Sequence, residues 1–63
     1  MIKVTRFKGN EVILNAELIE LIEQTPDTVI TLTNGQKMLV NEQPEEIVRR
    51  VMQYKRAIFT NFR

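Results

Sequence analysis

The stretch Thr28-Val29-Ile30-Thr31-Leu32-Thr33-Asn34-Gly35-Gln36-Lys37-Met38-Leu39-Val40 decides the fold class. Its first six residues are rich in β-branched side chains, which fit a pleated, half-buried surface. Asn34-Gly35 is the strongest short hairpin signal, because a type I′ turn needs positive φ at both central residues. Residues 36–40 return as the partner strand. Ile30 with Leu32, and Met38 with Val40, face one core by parity.

Working upstream, Pro26-Asp27 is a turn pair. Residues 15–24 read two ways. Asn15 can cap a helix, with Leu18, Leu21 and Ile22 at helical spacing. The same residues also alternate, Ile19 and Leu21 on one face and Leu18 and Ile22 on the other. A helix of barely ten residues is marginal alone. The pattern therefore favours a strand over residues 18–25, bulged near Ala16-Glu17. Further upstream, residues 2–8 alternate, with Ile2 and Val4 on one face and Lys3 and Thr5 on the other. Phe7 falls on the wrong parity and suggests a bend. Gly9-Asn10 tolerates positive φ and turns the chain into a short buried strand at Val12, Ile13 and Leu14.

Downstream, Asn41 or Glu42 opens a helix over about residues 43–59. Pro44 lies in its first turn, where a missing N–H costs nothing. Ile47, Val51, Tyr54 and Ile58 recur at spacings of 4, 3 and 4. Val48, Met52 and Phe59 form a second stripe beside them. So wide an apolar face suits a helix packed on a sheet, with part left to meet another chain. Residues 60–63 are expected to fray unless Phe62 docks them. The reading is α+β, mainly β: about five short antiparallel strands over residues 2–40, then one amphipathic helix, in one domain.

The chain has 63 residues. At this size only about 60% of the unfolded surface is buried. With no cysteine there is no disulfide to help, and with no histidine either a zinc site is not expected. Oligomerisation, most simply a symmetric dimer, is the remaining way to bury apolar surface. Residues 1–8 carry Lys3, Arg6 and Lys8 and lack the apolar run of a signal peptide. No run is long enough to span a bilayer. A cytoplasmic protein, at the periphery of larger structures, is the expectation.

Charge is unevenly spread. Residues 1–46 hold four bases against eight acids, and residues 47–63 hold five bases and no acid. Part of this suits the helix dipole, acids first and bases last. Arg49, Lys55 and Arg56 project away from the Ile47–Val51–Tyr54–Ile58 stripe, and Arg50 sits near its edge. These four are the candidate binding residues, toward RNA phosphates, an acidic protein loop or anionic lipid headgroups. A solvated helix face is the plain alternative for each.

No catalytic constellation is present. Glu17, Glu20 and Glu23 recur every third residue and make a solvated stripe on a helix. The usual bases and nucleophiles, His and Cys, are missing. Gly9 and Gly35 are turn glycines, not a phosphate loop. Met38 and Met52 are simplest as core filler. No cofactor is expected, and the chain reads as a binding protein.

The runs Met1-Ile-Lys-Val-Thr-Arg-Phe-Lys-Gly9, Leu14-Asn-Ala-Glu-Leu-Ile-Glu20, Ile22-Glu23 and Thr25-Pro-Asp-Thr-Val-Ile-Thr-Leu32, with Asn34-Gly35, Lys37 and the helix from Glu45 to Arg56, resemble the FlbD/SwrD family. These are very short proteins encoded among flagellar genes. The resemblance covers nearly the whole chain to about Ile58, and Phe59-Thr-Asn-Phe-Arg63 departs from it. It implies a cytosolic accessory to swarming motility that raises flagellar motor output through motor or stator proteins. It implies no catalytic residue. A looser resemblance, in layout and in Met1-Ile-Lys-Val-Thr-Arg6 and Glu45-Glu-Ile-Val-Arg49, is to the CsrA-type RNA-binding regulators, which are intertwined dimers. The acidic strand region fits an RNA-binding sheet poorly, so nucleic acid is the second reading.

Overall fold

The computed structural model describes residues 1–61. Its elements are β1 (Ile2–Thr5), β2 (Glu11–Leu14), a 3₁₀ turn (Ala16–Leu18), β3 (Ile19–Gln24), β4 (Thr28–Leu32), β5 (Lys37–Val40) and α1 (Pro44–Asn61). Five short antiparallel strands and a C-terminal helix are the architecture expected from the pattern. β1 pairs with β2, and β3, β4 and β5 form a second sheet in that order.

The end of β1 seams the two sheets together. Arg6 bridges Val40. Phe7 N–H donates to the Leu39 carbonyl at 3.0 Å, and Asn41 N–H to the Thr5 carbonyl at 2.9 Å. The strands thus run β2-β1-β5-β4-β3. One face is the core. It gathers Ile2, Val4, Leu14, Ala16, Ile30, Leu32 and Val40, with Ile47 from α1 fully buried among them. Val51 and Tyr54 pack against this cluster. The Ile30 and Val40 parity read from the sequence therefore holds.

Several local details differ from expectation. The β4–β5 turn is not type I′, because Gly35 has positive φ (90°) and Asn34 does not. Leu32 N–H donates to the Gln36 carbonyl at 2.8 Å and Gly35 N–H to the Leu32 carbonyl at 2.9 Å. This is a three-residue loop, a type I turn closed by a glycine bulge. The Asn34 side chain accepts from Gln36 N–H at 2.9 Å, which holds Asn34 at ordinary φ. In the first hairpin Lys8, not Gly9 or Asn10, takes positive φ (56°). At Gly9 the constraint is one of space, since a Cβ there would lie 3.1 Å from Arg6 Cβ and Arg6 would have to give by a few tenths of an ångström.

Residues 15–24 combine both readings. Asn15 does cap, its side chain accepting from Glu17 N–H, but it caps only the 3₁₀ turn. Residues 16–17 belong to that turn, and the strand irregularity falls between Ile19 and Leu21. The helix opens later than Asn41 or Glu42. The Gln43 carbonyl accepts from Glu46 and Ile47 N–H, so Gln43 is the cap and Pro44 the first helical residue. Helix continues through Asn61, past the expected fraying at Thr60. The docking of Phe62 lies outside the described residues.

Candidate functional site

α1 crosses the core face of the sheet and is pinned at two points. Near its start, Glu42 accepts hydrogen bonds from Thr5 N–H and Thr5 Oγ1, each at 2.9 Å. Arg50 closes the clamp, donating to Glu42 at 3.1 Å, to Glu46 at 2.7 Å and to the Lys3 carbonyl at 2.7 Å. At mid-helix, Lys55 Nζ reaches Glu17 on the 3₁₀ turn at 3.4 Å.

The clamp sets the local electrostatics. The Glu42 side chain is only 11% exposed. Burial disfavours its charge, but hydrogen bonds from Thr5 and Arg50 outweigh that and hold its carboxyl below the usual range. Glu46 accepts from both Arg49 and Arg50, which pull it down to about 2. The two guanidiniums are raised in turn, Arg49 and Arg50 each chiefly by Glu46.

The four candidate residues consequently separate. Arg50 faces inward, where it joins α1 to β1. Arg49 forms a two-pronged pair with Glu46 (3.0 and 2.6 Å) and stays on the surface. Lys55 is exposed and bridges to the 3₁₀ turn. Arg56 is exposed one turn beyond Met52 and joins Arg49, Met52 and Gln53 around an open groove of about 240 Å³. Exposed ion pairs like Arg49–Glu46 are worth about 0–1 kcal/mol, so Arg49 can exchange its partner for a ligand at little cost.

Beside this flank runs the second apolar stripe. Val48, Met52 and Phe59 are 47%, 59% and 75% exposed. Met52 is therefore not core filler, as its spacing alone suggested. α1 offers a partner three apolar side chains bordered by Arg49 and Arg56, with Lys55 among them. In charge and polarity this side of α1 complements an acidic, partly apolar surface.

A family model for flagellar and swarming motility proteins, FlbD, matches residues 1–59. The chain belongs to the FlbD family. The match spans every strand and α1 as far as Phe59, so the clamp, the basic flank and the exposed stripe all lie within the FlbD region. Neither the curated proteins nor the solved structures yield a match. Among the described residues, no helix of this FlbD protein is long and apolar enough to cross a membrane.

A second exposed surface escaped the sequence reading. Phe7, Leu21 and Leu39 are 44%, 41% and 43% exposed on the sheet face opposite α1. The parity break at Phe7 was its one visible signal.

Proposed function

We propose that this FlbD protein supports swarming motility by raising flagellar motor output through contact with a motor or stator component, and that it works as a cytoplasmic homo-oligomer, by binding rather than catalysis. The observation that carries the reading is the outer side of α1. Val48, Met52 and Phe59 are left uncovered there, and Arg49, Lys55 and Arg56 lie alongside. Complementary charge steers such encounters and fixes their register. An acidic loop of the motor is the partner this surface fits.

The test is a triple variant, Arg49→Ala, Lys55→Ala and Arg56→Ala, which leaves Arg50 and the core untouched. Circular dichroism should show a folded protein. Swarming and motor torque should fall. Folded protein with full torque would exclude the flank as the docking surface. If RNA were the ligand instead, wild-type protein would bind it with an affinity falling steeply as salt rises.

A further inference from the structure

Among the described residues, α1 covers one face of the sheet and no helix or strand covers the other. Strand register orders that outer face in two rows. Phe7, Leu39, Val29 and Glu23 form the first, and Lys37, Thr31 and Leu21 the second. Leu39 and Phe7 are each about two-fifths exposed and adjacent, and Leu21, equally exposed, lies two strands away across β4. Thr31, between them, is buried, and its Oγ1 has no hydrogen-bond partner among the described residues.

Lys8 Nζ lies over the Phe7 ring, 5.6 Å from its centroid, and on β3-β4-β5 two charges occupy opposite corners of the face. Glu23 stands on β3 and Lys37 on β5, and both are exposed. Neither takes part in a salt bridge among the described residues. Two strand spacings and one two-residue step separate them, about 12 Å diagonally across the patch. A two-fold axis through the point between Val29 and Thr31, lying in the plane of contact, bisects that diagonal. It lays Glu23 of one copy against Lys37 of the other, twice over. It also sets Leu21 beside Leu21 and Leu39 beside Leu39. A patch complementary to itself is what an isologous interface requires.

We propose that this outer sheet face is a homodimer interface, occupied by a second copy of the chain and registered by reciprocal Glu23–Lys37 pairs. The exposed stripe of α1 does not suit that role. Past Glu45 at its start, the charged residues along it, Arg49, Lys55 and Arg56, are all basic, so a two-fold copy would face like charge with like over most of its length. The inference rests on the oligomeric part of the proposed function and is independent of the motor partner.

Sedimentation velocity tests it. Wild type should be dimeric at micromolar concentrations. Glu23→Lys and Lys37→Glu should each weaken the dimer by about tenfold or more, because each creates two like-charged contacts. An equimolar mixture of the two variants should dimerise again, since both contacts are then of opposite sign. Leu39→Glu, at an exposed site, should remain folded by circular dichroism and be monomeric. If wild type is dimeric but both single-charge variants match it, or their mixture fails to recover, this face is not the interface although the oligomeric reading stands. Monomeric wild type at all concentrations would overturn both.

Discussion

Two residues illustrate how much single positions carry. Gly35 has φ of +90° with no atom within 4 Å of the place a Cβ would occupy. Its cost on substitution is thus conformational and not steric. Gly35→Val should lower stability by about 1–3 kcal/mol, seen as a drop in melting temperature. An unchanged melting temperature would contradict the glycine bulge. Asn34, at ordinary φ, should tolerate change better. Glu42 is different in kind, because it satisfies the Thr5 N–H and balances Arg50 across the clamp. Glu42→Ala strands the Thr5 N–H, leaves Arg50 only Glu46 and the Lys3 carbonyl, and should cost about 1–3 kcal/mol, measured by urea unfolding. The clamp also makes stability depend on pH. The Glu42 and Glu46 carboxyls lie below their ordinary 4.5 in the folded state. Their contribution is complete above that value and is lost as pH falls toward their folded values, about 2 for Glu46. The urea midpoint should therefore decline through that acid range. Glu42→Gln and Glu46→Gln should each flatten the decline.

Among the elements, α1 shows most clearly that spacing and burial are separate matters. Ile47 and Met52 both belong to apolar stripes, yet one is fully buried and the other 59% exposed. Ile47→Ala should cost about 2–5 kcal/mol. Met52→Ala should stay within about 0.5 kcal/mol. Thermal melts of the two variants check the contrast, and similar losses would show Met52 to be packed after all. The β4–β5 hairpin and α1 were legible because each announces itself over one continuous run, by β-branched alternation, an Asn-Gly turn and a first-turn proline. Residues 15–24 were only half legible. Asn15 and the alternating apolar residues send conflicting local signals, and the chain obeys each in turn. The role of Arg50 was not legible, since its partner carbonyl at Lys3 lies 47 residues away. Helical spacing puts it nearer the apolar stripe than Arg49 but does not name its partner. The exposure of Leu21 and Leu39 was hidden for a related reason: alternation says that two faces exist, not which one a helix will cover.

At the scale of the whole molecule, the seam between β1 and β5 is the join on which the fold turns. It unites two antiparallel units, each built from neighbours in sequence, through contacts such as Thr5–Glu42 at a separation of 37 residues. That disparity has a kinetic consequence. The hairpins close short loops, whereas the seam must close a long one before any of its contacts is rewarded. The β3-β4-β5 unit should therefore form early, and β1 with its clamp should join after the rate-limiting step. Gly35→Val, inside an early turn, should slow refolding. Glu42→Gln, at the seam, should leave refolding nearly unchanged and accelerate unfolding. Stopped-flow chevron plots of the two variants resolve these outcomes, and a slowed refolding limb for Glu42→Gln would place the seam in the folding nucleus. On the predicted order, the protein resists unfolding through the bonds it makes last, so its lifetime and its rate of formation are set by different halves of the same sheet.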